Sequence, residues 1–145
     1  MKKLILCDLD GTLADCQHRV HLILTEPKKW TEFFAACPGD KPISHTIELL
    51  RALSHAYEIW ITSGRSDECR ADTESWLLAN KVSYDRLVMR EAKDHTDDGV
   101  LKPRWLEDGT IPKGRVAFAL DDRNRVVASW RAAGVPCFQV AEGDF

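Results

Sequence analysis

The sequence is short of several things at once. No run of apolar residues approaches the ~18 that a membrane span needs. The five cysteines (Cys7, Cys16, Cys37, Cys69, Cys137) are odd in number and scattered, with no C-x-x-C pair, which argues against a disulfide framework or a zinc knuckle. The five histidines (His18, His21, His45, His55, His95) have no metal-ligand spacing with Cys or Glu. Positive charge is not in excess. The net charge is −3 and the pI about 5.9, whereas domains that coat nucleic acid electrostatically have a pI above ~9. Local contact with a strand end stays compatible with this balance. Met1-Lys2-Lys3 precedes only four apolar residues, Leu4–Cys7, before Asp8, short of the ~7–15 of a secretory h-region. The cytoplasm is therefore the expected location. Eight glycines and six prolines in 145 residues are too few for a linker-rich protein, and no repeat or low-complexity tract is visible.

What is present is an ordinary globular mixture, 44% hydrophobic and 30% charged, in a chain the size of one domain. Short apolar runs alternate with helical patterns, as in an α/β protein with a parallel sheet. Leu4–Cys7, Tyr57–Thr62, Leu87–Met89, Val116–Leu120 and Cys137–Val140 read as strands. Ile43, Ile47, Leu50 and Leu53 lie at helical spacing, with Pro42 suited to open that helix. A second helix runs from about Asp67, with Cys69, Trp76 and Leu77 on one face and Asn80 as its C-cap. Residues 99–107 suit only a short helix, because Pro103 interrupts it. Val126, Val127, Trp130 and Ala133 mark a helix ending at Gly134. The stretch from Ala14 to Pro42 breaks the alternation. It holds a helix around Lys29–Ala36 and the breaker Pro38-Gly39-Asp40. About 29 residues cannot bury a core alone, so it is expected as a small cap insertion over the sheet's edge.

Three strands run into a polar residue of catalytic type: Cys7 into Asp8, Thr62 into Ser63, Leu120 into Asp121. In open parallel sheets ligands bind beyond the carboxyl ends of the strands, where these residues converge. Asp8-Leu9-Asp10-Gly11-Thr12 sets two carboxylates two residues apart, followed by a turn residue and a hydroxyl. That spacing serves a nucleophile with a separate acid/base partner. The competing account is a solvated acidic turn. Asp121-Asp122 adds a second acidic pair. Clustered carboxylates repel, and a hard cation such as Mg²⁺ relieves that repulsion. The same pair also suits an acidic cap for the helix that follows. Lys102 is the candidate cation to balance a nucleophile and a phosphate.

In order and in strand-end position, Asp8-x-Asp10-Gly11-Thr12, Ser63, Lys102 and Asp121-Asp122 resemble the four motifs of haloacid dehalogenase-like phosphatases. Ser63-Gly64-Arg65, Arg19, the stretch Ala119–Trp130 and the tail Gly134–Phe145 resemble the 3′-phosphatase domain of phage polynucleotide kinase/phosphatase. No G-x-x-x-x-G-K-[ST] occurs, so no kinase half is expected within these residues. The resemblance implies a Rossmann-like three-layer sandwich and a Mg²⁺-dependent phosphomonoesterase that works through an aspartyl-phosphate and removes 3′-phosphates from polynucleotide ends. It assigns Asp8 as nucleophile and Asp10 as general acid and base. Asp8, the Asp10 main-chain carbonyl and Asp121-Asp122 would hold the metal. Lys102 and Ser63 would bind phosphate oxygens, with Thr12, Gly64 and Asp98 also at the substrate. Arg19 and Arg65 would grip phosphates as planar forks. The implied partners are a phosphorylated nucleic-acid end and a separate kinase or ligase, in a phage-like setting. Trp30, Phe33 and Phe34 in the insertion could stack on a terminal base, but at this spacing packing of the insertion onto the domain is the stronger reading.

Two other functions use similar ingredients. A phosphoacceptor receiver domain carries its acidic pair on the first strand and its acceptor on a later one, the reverse of the order here. A phosphatase of nucleoside monophosphates would use the same motifs. The acidic balance suits it, and a short insertion, which leaves the crevice open to a polymer end, opposes it.

Overall fold

The computed structural model describes residues 1–145. Its strands are β1 Leu4–Cys7, β2 Ala14–Asp15, β3 Lys41–Pro42, β4 Glu58–Ser66, β5 Arg86–Arg90, β6 Val116–Asp121 and β7 Cys137–Gln139. Its helices are α1 Gln17–Val20, α2 Trp30–Ala35, α3 Ser44–Leu53, α4 Arg70–Ala79, α5 Asp98–Glu107 and α6 Asn124–Ala132. Five strands form one sheet in the order β5-β4-β1-β6-β7, every neighbouring pair parallel.

β1 is the centre of that sheet, and its four residues are 0–1% exposed. A strand covered on both faces shows no polar alternation, yet its side chains still point alternately to opposite sides. Ile5 and Cys7 pack with Ile59, Ile61, Leu87 and Met89 against Ile47 and Leu50 of α3 and Trp76 and Leu77 of α4. Leu4 and Leu6 pack with Trp60, Val88 and Ala119 against Leu101 and Trp105 of α5 and Val126, Val127 and Trp130 of α6. The result is a three-layer α/β sandwich of Rossmann-like form. From β1 the chain steps outward to β4 and β5, then returns past β1 to β6 and β7. This reversal opens a crevice at the carboxyl ends of β1 and β6.

Several boundaries differ from the sequence expectation. Pro42 lies in β3 and does not open α3, which is preceded by Ile43. β3 pairs antiparallel with β2, Ala14 opposite Pro42 and Asp15 opposite Lys41, a two-stranded ribbon where a residue without an N–H is tolerated. β4 continues past Thr62 to Ser66, and its ladder to β5 shifts between Ser63 and Ser66. Cys69 sits in a 3-10 turn, Asp67–Cys69, ahead of α4. Asn80 does cap α4, its side-chain amide donating to the Trp76 carbonyl at 2.9 Å, but the left-handed residue is Lys81 with φ 55°. α5 is the short helix expected at 99–107, starting one residue earlier, and it runs unbroken through Pro103. The bond lost there is one to the Gly99 carbonyl, and burial of Leu101, Trp105 and Leu106 against α6 offsets it.

The segment between β2 and β3 lies above the carboxyl ends of β1 and β4. Its polar groups explain the place: Arg19 reaches Asp10 after β1, and Asp40 reaches Arg65 in β4. The Trp76 indole N–H of α4 donates to the Asp40 carbonyl at 2.8 Å. No helix is long and apolar enough to cross a membrane.

Candidate active site

The turn after β1 builds the floor of the crevice. The Asp8 N–H donates to Leu120 of β6 at 2.9 Å, so the backbone stays on the sheet to its last residue. Leu9 and Leu13 are fully buried and anchor the turn, and the Gly11 N–H closes it on the Ala14 carbonyl at 2.8 Å. Gly11 has φ +83°, and a Cβ there would overlap the Asp122 carboxylate, so only glycine fits. The turn brings Thr12 back over the strand end, where its hydroxyl donates to Asp8 Oδ2 at 3.0 Å.

The end of β6 and two helices complete this half of the site. Lys102 of α5 is 1% exposed, and its ammonium lies 2.8 Å from Asp8 Oδ1 and 3.0 Å from Asp121 Oδ2. The Trp130 indole N–H also donates to Asp121 Oδ2, at 3.3 Å, while Asp121 Oδ1 accepts from the Asp122 N–H at 2.9 Å. Asp8, Asp121 and Asp122 each offer an oxygen, and these atoms lie within 4.8 Å of one another. Burial raises the Asp8 pKa well above the usual carboxylate range, Asp121 raises it further, and Lys102 only partly opposes them. Burial raises Asp122 as well. Burial alone would lower Lys102, but Asp121 and Asp8 outweigh it and hold the ammonium charged. Three crowded carboxylates against one ammonium leave a hard, oxygen-only donor set short of positive charge. That set fits Mg²⁺.

The second half is organised differently. The Asp10 carboxylate points away from that cluster and keeps 26% of its side chain exposed to the crevice. Arg65 donates to it from Nε at 3.2 Å and NH2 at 2.7 Å, and Arg19 from NH2 at 2.8 Å. Burial pushes the Asp10 pKa up, but Arg65 and then Arg19 more than reverse this, so the carboxyl is held below its ordinary value. Behind the arginines lies Asp40, whose side chain is wholly buried. Its Oδ1 accepts from Arg19 Nε at 2.8 Å, and its Oδ2 accepts from Arg19 NH2 at 2.8 Å and Arg65 NH2 at 2.9 Å. His18 Nε2 lies 2.7 Å from Asp40 Oδ1. Arg65 NH1 donates to the Thr73 hydroxyl at 3.0 Å, and Arg19 NH1 to the Phe33 carbonyl at 3.2 Å.

Arg19 and Arg65, expected to grip phosphates, are both buried here, with their guanidinium N–H groups donating to the Asp10 and Asp40 carboxylates. Ser63 is buried at the end of the regular β4 ladder, and its hydroxyl oxygen accepts from the Arg65 N–H at 3.1 Å. Asp98 stands beside Gly64, where a Cβ would come within 2.6 Å of its Oδ1. Asp98 is ion-paired to Arg90 and lies 3.5 Å from Arg123. Arg90 Nε in turn donates to the Gly64 carbonyl at 2.8 Å.

Sequence reasoning missed Asp40, Thr73, His18 and Arg90. Asp40 looked like part of a chain breaker. Its one available signal was indirect: two arginines drawn to one carboxylate need a second buried acid to neutralise them.

Comparison with known proteins agrees with this geometry. The family model for the polynucleotide kinase PNKP phosphatase domain matches residues 2–145. A protein of Autographa californica nuclear polyhedrosis virus, "Putative bifunctional polynucleotide kinase/RNA ligase", is 29% identical over 136 residues, which is 91% of this chain and 18% of that protein. A chain of the Pnkp1/Rnl/Hen1 complex superposes with a TM-score of 0.84 at 33% identity, over 100% of this chain and 48% of that one. A chain of the Pnkp1/Rnl/Hen1 RNA repair complex gives 0.82 at 32% identity, over 100% and 44%. This chain therefore spans less than half the length of these relatives. The haloacid dehalogenase-like protein SP0104 from Streptococcus pneumoniae, 16% identical with a TM-score of 0.65 over 95% of this chain and 84% of that one, shares the fold.

Proposed function

The chain belongs to the PNKP phosphatase-domain family of haloacid dehalogenase-like phosphatases, and from that premise we propose that it removes 3′-phosphates from polynucleotide ends, with Mg²⁺. The observation that carries this reading is the division of labour between two aspartates two residues apart. Asp8 is pinned by Lys102 and Thr12 among the buried carboxylates, while Asp10 is aimed into the crevice by two arginines.

An oxygen of Asp8 attacks phosphorus in line, forming an O–P bond as the bond from phosphorus to the sugar O3′ breaks. Asp10 gives its proton to O3′, which leaves as a hydroxyl. Water then attacks the aspartyl-phosphate, Asp10 takes the water's proton, and inorganic phosphate is released with Asp8 regenerated. The arginines hold Asp10 ionised in the resting protein, the form the second half-reaction needs. A phosphate dianion beside Asp10 opposes them and favours the protonated form that the first half needs. Lys102 and the Ser63 hydroxyl face the transferring oxygens, with Thr12 fixing Asp8, and Asp98 holding Arg90 beside Gly64 of β4. Asp8, Asp121, Asp122 and the Asp10 carbonyl would hold Mg²⁺, which neutralises charge on the transferring phosphoryl group.

The relatives' names join kinase and ligase functions to this domain, and one is an RNA repair complex. An RNA end is accordingly the favoured substrate, with kinase and ligase activities supplied elsewhere, on a longer chain or on separate proteins. The test is hydrolysis of a 3′-phosphorylated oligonucleotide, a 3′-mononucleotide and a 5′-mononucleotide, with Mg²⁺ or with chelator. The oligonucleotide is expected to be cleaved fastest, and only with metal. Preference for the 5′-mononucleotide would replace end repair with nucleotide hydrolysis.

A further inference from the structure

The segment between β2 and β3 carries three aromatic side chains, and the structure sorts them. Phe33 is buried and lies against Arg19, whose Cζ is 4.3 Å from the ring centroid. Phe34 is partly buried and packs on the core layer that holds α3 and α4. These two do the packing. Trp30 remains 43% exposed. Its indole is stacked on Phe34 (centroids 5.8 Å apart, 26° between planes) and meets Phe33 edge-on at 5.8 Å. A phenyl ring therefore backs the indole while part of it faces water, the arrangement of a rigid platform. Lys28 Nζ lies over the indole ring, 6.0 Å from its centroid, so the platform carries a cation above the ring.

The platform is joined to the site by two contacts. Steps of 4.3 Å and 5.8 Å lead from the Arg19 guanidinium through Phe33 to the indole, and that guanidinium is hydrogen-bonded to Asp10. Every base has a π-face, so an indole binds it regardless of sequence. The neighbouring ammonium suits the sugar-phosphate that a polymer end brings with it and a simple phosphomonoester lacks.

We propose that Trp30 is the stacking platform for the base of the nucleotide that carries the phosphate. This rests on the phosphatase reading above and adds to it the feature that selects a nucleic-acid end over other phosphomonoesters. The experiment is a cycle between the protein side chain and the base. Wild type, Trp30→Ala, Trp30→Leu and Trp30→Phe are each given a 3′-phosphorylated oligonucleotide and the same oligonucleotide with an abasic last residue. Wild type is expected to favour the base-bearing end by about tenfold in kcat/KM, a modest value for one stacked base. Trp30→Ala and Trp30→Leu, the latter keeping apolar bulk without a π-face, should erase that preference, and Trp30→Phe should retain most of it. Equal loss on both substrates would make Trp30 a packing residue and overturn the proposal, as would an undiminished preference. Wild-type failure to cleave either oligonucleotide would remove the phosphatase reading. Stacking would then be decided by fluorescence of wild type against Trp30→Phe on adding unphosphorylated oligonucleotide. Quenching of the Trp30 emission supports it, and no quenching overturns it.

Discussion

The two halves of the site handle buried charge in opposite ways. Around Asp8, three carboxylates share one ammonium, and both Asp8 and Asp122 are driven toward protonation. Around Asp10, two guanidiniums face two carboxylates, and Asp10 is driven toward ionisation. The first cluster is unbalanced without a cation from solution; the second neutralises itself. An enzyme needs both. A metal-binding nucleophile must tolerate a change of charge, whereas an acid/base group must keep one orientation while its proton comes and goes.

The largest effect that separates the halves is chemical. Asp8→Asn should lower turnover of a 3′-phosphorylated oligonucleotide by on the order of 10⁴-fold or more, as expected for loss of a nucleophile. The fold should survive, since the change removes a charge from a crowded acidic cluster. A thermal melt alongside the assay checks both points.

Next comes a structural effect in the other half. Asp40→Ala leaves Arg19 and Arg65 buried without their shared acid, at a cost of about 3–5 kcal/mol. For a chain of this size that is a fall in Tm of about 10–16 °C. Turnover should fall with it, since Asp10 loses its alignment, even though Asp40 does not reach the crevice. An Asp40→Ala protein with wild-type Tm would show that the arginine lattice is not self-contained.

A smaller effect appears in Tm against pH, with opposite sign in the two halves. In metal-free protein Asp8 and Asp122 have raised pKa values, so they bind protons more readily folded than unfolded. Their contribution to stability is present at low pH and is lost as pH climbs from the ordinary carboxylate range to the raised values. Asp10, lowered, contributes above the ordinary range and loses that contribution as pH falls through its folded value. Mg²⁺ should raise Tm near neutral pH and flatten the first dependence while leaving the second. Asp121→Asn should abolish the metal's effect on Tm; a full Mg²⁺ shift in that variant would move the metal off this cluster.

The smallest effect is expected where charge is merely superficial. Arg70 and Glu74 form an exposed i,i+4 pair at 3.2 Å on α4. Glu74→Gln should change stability by about 0.5 kcal/mol or less, without altering turnover. It calibrates the buried pairs against a surface one.

These contrasts also mark what the amino-acid order made legible. The carboxylates of the Asp8 half were readable because Asp8 and Asp121-Asp122 sit at the ends of apolar runs, on the neighbouring strands β1 and β6. Lys102 was readable mainly through motif order, since nothing local shows that α5 turns it inward; burial of Leu101 and Trp105 does that. The Asp10 half was only half readable. Arg19 and Arg65 were found, but their partner Asp40 is carried by a Pro38-Gly39 turn that looks like a simple breaker. The acid that both arginines share was therefore not legible. The short helix at residues 99–107 was legible despite Pro103, and tertiary burial on α6 offsets that local propensity. Among Trp30, Phe33 and Phe34, spacing showed aromatic residues without showing which one the packing leaves outside.

The central claim is a covalent intermediate on Asp8 whose breakdown depends on Asp10. The direct measurement uses Asp10→Asn with p-nitrophenyl phosphate, whose good leaving group needs no acid, followed by acid quench and mass spectrometry of the digested protein. The account predicts one phosphoryl group on the peptide that contains Asp8, accumulating in Asp10→Asn and absent from Asp8→Asn. Turnover of this substrate by wild type with the phosphoryl group found on another residue, or steady turnover by Asp8→Asn, would contradict it.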